Sequence, residues 1–529
     1  MDGPVPELAD RAAACAERLL AADRVLLASH IDADGLTSAA IASRALERAG
    51  IPHEVVFEKQ LDEAAIGAIA ETGYDTVLFT DFGSGQLDVI ADHEAAGAFT
   101  PVIADHHQPA DADTEFHLNP LLVGIDGASE LSGAGASYVL ARALETTGNP
   151  REGDSAGNAQ AEGSAETGPE ADSAETGPEA DSAETGRGVG PAEIGPEASA
   201  TDGSGGRVDN RDLAALAVVG AVGDMQASGG ELHGANAAVV EEGVEAGVVE
   251  TATDLALYGK QTRPLPKLFE YATDVRVPGI SNDQAGALAF LDGLDVELER
   301  DGEWRTWADL TAEEKRTVAS ALVRRAVEAG VPASKIEQLV GTAYVLSEEP
   351  VGTELRDASE FSTLLNATAR YERADVGLAV CLGDRDGALD RARTLLRDHR
   401  RNLSAGIELV TEEGVSREEN LQWFHAGDRI RETIVGIVAG MALGNDGISR
   451  ELPILAFAEA DDGELKVSAR GTHALVRRGL DLSTVVGEAA RAVGGDGGGH
   501  DVAAGATVPE GRETEFLARA DAIVGDQLA

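Results

Sequence analysis

From Val25 to His107 the chain alternates short apolar runs with stretches of helical composition: VLLASH, Leu36 to Arg48, HEVVFE, a helix around Leu61 to Glu71, TVLFTD and PVIADHH. Strands separated by helices at this spacing predict βαβ units and therefore a parallel sheet. That restricts the region to α/β architectures, in which ligands bind in crevices at the carboxyl ends of the strands. Acids and histidines stand at those ends.

Four clusters carry candidate chemistry. The first is His30-Ile31-Asp32-Ala33-Asp34-Gly35, between the strand VLLAS and a helix expected to begin near Leu36. Hard divalent cations take oxygen ligands with an occasional imidazole, and alternate residues at a strand end can project toward one point. A solvated Asp-rich turn, with Gly35 at positive φ, accounts for the same residues. The second is Asp81, ending TVLFT, where a lone acid is commonly the cap of the next helix. The third is Asp105-His106-His107 after PVIA, where adjacent imidazoles gain nothing unless they bind something. The fourth is Asp224 in AVVGAVGDMQ, read as an acid after one more apolar strand, which alone would more often be a cap. Together these strand ends hold the ligand inventory of a two-metal site. Such ions lie about 3.5 to 4 Å apart, share a bridging carboxylate and make a nucleophile of water near neutral pH.

The pattern breaks at residues 151–210. SAETGPEAD occurs at Ser164 to Asp172 and again at Ser173 to Asp181, and SAETG begins a third copy at Ser182. A nine-residue acidic repeat without large apolar side chains cannot bury a core, so it reads as a disordered insertion. The first domain is then expected in two parts, 1–150 and 211–257, followed by a mostly helical connector at 258–354. A smaller α/β domain at 355–529 contains GLAVCLG, ETIVGIVAGMAL, PILAFAEA, LKVSARG and GGDGGGHDVAAGATVP.

Net charge bears on partners and setting. Asp and Glu number 94 against 42 Lys and Arg, a formal charge of -52, and only six of the basic residues are lysine. Such a carboxylate-covered surface suits a cytoplasm rich in salt, where repulsion is screened within about 3 Å at 1 M, and points to a halophilic microbe. The 43% of hydrophobic residues, arranged in periodic runs, exclude disorder over most of the chain. Cys15 and Cys381 stand far apart with no CxxC, so neither a zinc knuckle nor a disulfide framework is indicated. No apolar run reaches the roughly 18 residues that span a bilayer, and the amino terminus reads as an acidic amphipathic helix rather than a signal peptide. A cytoplasmic location without membrane contact is expected.

HIDADG, FTDFG, ADHH and VGDMQ, in that order, and GGGHDVAAGA near the carboxyl end resemble the motifs of the DHH phosphoesterases, a family named for the triplet standing here as Asp105-His106-His107, and of its DHHA1 domain. The resemblance covers most of the chain. SGAGASY at Ser132 to Tyr138, YGKQTRPL at Tyr258 to Leu265 and EFSTLLNATAR at Glu360 to Arg370 are similar to segments of archaeal RecJ-like single-strand exonucleases, including the GINS-associated nuclease. The fold implied is α/β: a parallel-sheet DHH domain bearing the acidic insertion, a helical connector and a smaller α/β DHHA1 domain.

Carried over by motif, the resemblance implies that His30 and Asp32 hold one divalent cation, that Asp34, His106 and Asp224 hold another, and that Asp81 bridges them. His107 would then contact the scissile phosphate and Asp105 would orient an imidazole. Family practice favours Mn²⁺, with Mg²⁺ the other candidate. Gly497, Gly498 and Gly499 would let backbone amides approach an anion, while His500 and Arg470 supply charge-assisted hydrogen bonds to phosphate. Arg263 in QTRPL is a further phosphate-contact candidate; a bare GGGH would read as an ordinary glycine turn.

The activity implied is two-metal hydrolysis of a phosphodiester in single-stranded DNA or RNA, from an end held between the two domains and with RecJ-like 5′ to 3′ polarity. A phosphodiesterase for cyclic dinucleotides or very short oligonucleotides is the nearest alternative. A replication scaffold binding GINS and the replicative helicase is the alternative of a different class. Acidity opposes nucleic-acid binding, so a local arginine-lined groove is expected, with Arg393 to Leu403 and Leu475 to Leu482 as candidates, segments that read equally well as solvated faces of amphipathic helices. Few aromatics means little base stacking.

Overall fold

The amino-terminal apolar runs become the strands of one parallel sheet. In the computed structural model, which describes residues 3–146, 209–227, 230–272, 275–445, 447–460 and 463–529, the chain forms two units. One is Met1–Asn366 with Gly377–Asp384, the other Ala367–Val376 with Arg385–Ala529. The acidic repeats, and with them the expected disordered insertion, lie outside the described residues.

The first unit opens with α1 (Ala9–Leu20), β1 (Val25–His30), α2 (Ala33–Arg48), β2 (His53–Glu58), α3 (Glu63–Glu71), β3 (Thr76–Thr80), α4 (Leu87–Ala95), β4 (Thr100–Ala104) and β5 (His117–Leu118). The strands lie in the order β2-β1-β3-β4-β5, all parallel. Ser29 pairs with Thr80 and Thr80 with Ala104, so β1, β3 and β4 end level. Connection order reverses between β1 and β3, the switch point where open α/β sheets leave a crevice. His30, Asp81 and Asp105 stand in that row.

Leu26, Ala28, Val77, Phe79 and Ile103 on one sheet face bury against Ile66 and Ile69 of α3 and Leu87 and Ile90 of α4. α2 packs on the sheet together with α5 (Gly133–Thr146), α6 (Ala214–Gly223) packs against both helices, and α7 (Gly234–Glu245) packs against α6. The buried Ala39, Ala40, Ala42 and Ser43 give α2 a small-residue surface that α5 and α6 can approach closely.

Two expectations are corrected here. α2 begins at Ala33 and not near Leu36, with Asp32 as its N-cap accepting from the Gly35 N–H at 3.0 Å. Asp34 thereby moves from a turn into the first helical turn. Gly35 is required by contact and not by positive φ, since a Cβ there would sit 2.2 Å from the His30 carbonyl oxygen. The second correction concerns Asp224, which follows the helix α6 as its C-cap and does not end a strand. The run AALAVVGAVG carries no polar contrast from which a period could be read, and packing against α2 and α5 decides its type.

The described chain resumes beside the point where it left off. The Asn210 side chain donates to the Ala141 carbonyl at 2.7 Å and its N–H to Glu145 at 3.2 Å, so the last residue of the 151–210 stretch is tied to the helix that precedes that stretch.

β6 (Val249–Leu255) pairs antiparallel with β9 (Val340–Leu346). Between them α8 (Leu265–Glu270), α9 (Gln284–Asp292), the pair β7 (Glu299–Arg300) and β8 (Glu303–Trp304), α10 (Ala312–Glu328) and α11 (Ala333–Glu337) enclose a separate core around Phe269, Trp307 and Leu322. Then come α12 (Ala358–Arg370) and α13 (Ala374–Cys381), which contains most of GLAVCLG as helix.

The second unit holds α14 (Gly387–Glu413), β10 (Ser416–Arg417), β11 (Gln422–His425), α15 (Glu432–Ala442), β12 (Ile454–Glu459), β13 (Glu464–Arg470), α16 (His473–Val476), α17 (Leu482–Ala492), β14 (Asp496–Gly499), β15 (Ala503–Pro509) and α18 (Glu513–Leu528). Its sheet runs β10-β11-β12-β13-β15-β14, antiparallel except for β11 and β12. The period of two is visible in β12. Leu455 and Phe457 join one core with α17 and α18, while Ile454, Ala456 and Ala458 join another with α15. ETIVGIVAGMAL is therefore a helix, and the glycine triplet forms the edge strand β14.

Candidate metal centre

Four stretches of the first unit meet at the β1/β3 crevice. His30 Nδ1 lies 3.2 Å from Asp32 Oδ2 and 3.5 Å from Asp81 Oδ2. His106 Nε2 lies 3.3 Å from Asp81 Oδ1 and 3.8 Å from Asp34 Oδ2, and its Nδ1 lies 3.8 Å from Asp224 Oδ2. Asp81 thus turns one oxygen to each histidine. Potential ligand atoms fall within 4.8 Å of one another in three groups: His30, Asp32 and Asp81; Asp34, His106 and Asp224; and Asp81, Asp105, His106 and His107.

Local structure holds each group in place. Asp81 follows β3 with φ 60°, a left-handed backbone that Asp tolerates better than most side chains. Its carboxylate fills a hole over Gly133, where a Cβ would come within 2.3 Å of Oδ1. Asp34 is clamped at the start of α5, accepting from the Gly133 N–H at 2.7 Å and the Ala134 N–H at 3.0 Å. These donors favour its ionised form, as helix N-termini do for anions.

The His106 Nδ1–H donates to the Gly127 carbonyl at 2.7 Å, which aims Nε2 at Asp81 and Asp34. A fixed tautomer of this kind is what a metal-binding imidazole needs. Asp105 is fully buried. It accepts from the backbone N–H groups of Ser84, His106 and His107 at 2.9, 2.7 and 3.2 Å, and from His107 Nδ1 at 2.8 Å. His107, whose side chain is 55% exposed, presents its other nitrogen outward.

The charges are mutually tuned. Burial pulls His30 and His106 down, but polar contacts with the surrounding carboxylates outweigh it and carry each up to about 11. Burial pushes Asp81 up, yet contact with His106 and His30 leaves it well below the usual carboxylate range. Burial, followed by the charges of Asp81 and Asp224, pushes Asp34 well up, and burial also raises Asp224. Asp105 is brought down to about 2 because the His107 hydrogen bond and imidazole charge exceed the effect of burial.

A divalent cation fits this arrangement on one direct observation. Asp81 Oδ1 is buried and makes no well-aligned hydrogen bond, its facing group being His106 Nε2 at 3.3 Å, and a buried oxygen so poorly satisfied costs about 1–3 kcal/mol, or more when charged, unless something compensates. Carboxylate oxygens with one imidazole, as in the His30–Asp32–Asp81 and Asp34–His106–Asp224 groups, are the donors that a hard divalent ion accepts.

The remaining candidates lie elsewhere. Arg263 stacks over the rings of Tyr258 and Tyr271, its guanidinium 4.7 and 5.3 Å from their centroids. In the second unit, Arg470 ends β13 and pairs with Ala503, and the His500 N–H donates to the Ala503 carbonyl at 2.9 Å. Gly499 pairs with Ala504. Arg470, the glycine triplet and His500 therefore gather around the start of β15. Arg470 is half-buried against α15, where a Cβ on Gly436 would meet its guanidinium at 2.5 Å. Its pKa is lowered by burial and then by Arg370.

Sequence reading missed the groups that hold the ligands. They are the Gly127 carbonyl, the Gly133 and Ala134 amides, Gln226, and Asn366, whose Oδ1 accepts from the Ala33 N–H at 3.1 Å. The glycines of SGAGASY were the available signal, since small residues before a helix mark a close backbone approach.

Comparison with known proteins adds three domain matches: the DHH family N-terminal domain over residues 24–158, the DHH-CID domain over 257–340 and the DHHA1 domain over 420–526. An uncharacterized protein of Methanocaldococcus jannaschii is 26% identical over 508 residues, 94% of this chain and 93% of that one. Among solved structures, Cdc45 from Entamoeba histolytica is similar with a TM-score of 0.58 at 9% identity, covering 98% of this chain and 97% of that one. RecJ in complex with Mn²⁺ from Thermus thermophilus gives 0.54 at 17% identity, covering 99% of this chain but 56% of the longer RecJ chain. An exonuclease RecJ bound to manganese gives 0.53 at 17%, covering 99% and 96%. At these identities the structural likeness is one of fold.

Proposed function

From a chain built of DHH, DHH-CID and DHHA1 domains, we propose a metal-dependent phosphodiesterase that degrades single-stranded DNA or RNA from an end. His30 and Asp32 would hold one divalent cation and Asp34, His106 and Asp224 a second, with Asp81 available to both. The observation that carries this reading is the placement of Asp81, one oxygen toward each histidine, between two ligand groups at the switch point of the sheet. Bound there, Mn²⁺ or Mg²⁺ would neutralise phosphate charge and lower the pKa of water.

The residues of the chain contribute position and protons. The Gly127 carbonyl aims His106 Nε2 at the place a cation would take, and the α5 amides hold the Asp34 carboxyl group in position. His107, oriented through Asp105, offers Nε2 to a phosphate oxygen of the substrate. Arg470, Gly497, Gly498, Gly499 and His500 hold a further phosphate, and Arg263 is a more peripheral contact. The manganese-bound exonuclease RecJ, similar in fold, supports both the reaction and the metal.

The likeness to Cdc45 favours a second reading, a scaffold that binds GINS and the replicative helicase. One assay separates these readings: end-labelled DNA and RNA strands and a dinucleotide, incubated with Mn²⁺ in molar KCl. Progressive release of short products from the long strand supports the exonuclease. Cleavage of the dinucleotide alone identifies a small-substrate phosphodiesterase. An intact strand and dinucleotide at saturating Mn²⁺ leave the scaffold.

A further inference from the structure

Asp224 differs from the other members of the cluster in how it is held. It caps the carboxyl end of α6, where no strand or helix N-terminus fixes its side chain. The next residue, Met225, has φ 60° and is 77% exposed. Neither strain nor exposure is repaid locally; the turn serves to bring Gln226 back inside, 3% exposed.

There the Gln226 amide makes three hydrogen bonds. Nε2 donates to Asp224 Oδ2 at 2.8 Å and to the Gly127 carbonyl at 2.9 Å, while Oε1 accepts from Asn236 Nδ2 at 2.6 Å. The Gly127 oxygen is the one that also accepts the His106 Nδ1–H at 2.7 Å. A single carboxamide thus joins two ligands of one group through a shared carbonyl. Its orientation follows from chemistry, because Asp224 and Gly127 offer only acceptors, and a flipped amide would set Oε1 against both. Gly127 can come this close only as glycine, since a Cβ would lie 2.0 Å from the His106 oxygen.

We propose that Gln226 is the positioning residue of the Asp34–His106–Asp224 cation site, fixing the Asp224 rotamer directly and supporting the His106 tautomer through Gly127. This rests on the two-cation reading above. It requires that loss of the Gln226 amide weaken one cation site and spare the one formed by His30 and Asp32.

The test is Mn²⁺ binding to the full chain, by calorimetry and by electron paramagnetic resonance of the bound ion, for wild type, Gln226→Ala, Gln226→Glu and Asn236→Ala. The wild type should bind two ions. Gln226→Glu keeps the volume but turns an oxygen toward two acceptors, and it should weaken one site by about 10–100-fold, the usual effect of losing a group that orients a ligand. Gln226→Ala should do the same, and Asn236→Ala less in the same direction. Cleavage lost at low Mn²⁺ should return at high Mn²⁺, which a merely structural defect would not allow. In an Asp224→Ala background, Gln226→Ala should have a smaller further effect, through Gly127 and His106 alone.

Equal weakening of both sites, or unchanged binding in Gln226→Glu, overturns the proposal. If the Gln226 variants do not fold, by circular dichroism, Asn236→Ala alone decides, and unchanged binding there overturns it as well. A wild type that binds no second ion overturns the two-cation reading itself, a result distinguishable from failure of the Gln226 assignment.

Discussion

The two places assigned to phosphate chemistry are built in opposite ways. In the first unit Asp34, Asp81, Asp105 and His106 are buried, and backbone amides, a carbonyl and glycine holes fit them on several sides. In the second unit the glycine triplet is an edge strand and His500 is exposed, with Arg470 half-buried against a helix. Groups that must sit within a few tenths of an ångström of reacting atoms need a rigid, partnered shell. Groups that only hold an anion need access and donors. The contrast predicts that mutations in the first unit strike turnover and those in the second strike binding.

The largest effect is expected from Asp81→Ala, which removes the oxygen pair common to both ligand groups. Cleavage should fall below detection at saturating Mn²⁺ while circular dichroism and the melting profile stay close to wild type. Turnover that survives the substitution would break the comparison at its stronger side.

Next comes pH. With His30 and His106 raised to about 11, each carries a proton that a cation must displace. Affinity for Mn²⁺ should therefore rise with pH, by as much as about tenfold per unit at each site and about 100-fold per unit for the two sites together, and calorimetry in two buffers of different ionisation enthalpy should count the protons released. In the metal-free protein the sign is opposite for stability. The raised histidines stabilise the fold fully below the ordinary value of 6.5, and that contribution is lost as pH climbs through about 11. A pH-independent affinity would show that the imidazoles are neutral before metal binds.

For the second unit, His500→Ala and Arg470→Ala should each raise KM by roughly ten- to hundredfold with kcat nearly unchanged, the signature of lost uniform binding. Steady-state kinetics at moderate salt read this best. A kcat lowered by orders of magnitude at constant KM would move the motif into the reaction centre and erase the division between the units.

The smallest effect is expected from deleting residues 155–205. Asn210 is already tied to Ala141 and Glu145 of α5, so a short loop can close the gap, and activity should stay within about twofold. A loss of folding would mean that the segment supports the first unit.

Much of the site was legible because its ligands are side chains with narrow chemistry. His30, Asp81 and the Asp105-His106-His107 triplet stand where apolar runs end, and parallel strands bring such ends level. Asp224 was legible as an acid and as a cap, but the element it closes was read as a strand and is the helix α6, because an Ala, Gly and Val run has no period to read.

The sequence by itself determined the parallel α/β arrangement and the identity of the acids and imidazoles, since strand period and residue chemistry are local properties. Only the tertiary structure decided that the Gly127 carbonyl, the α5 amides and Gln226 would be the partners of those ligands. Backbone N–H and C=O groups are the same in every residue, so which of them meets a carboxylate depends on how helices and strands pack, and no side-chain pattern encodes it.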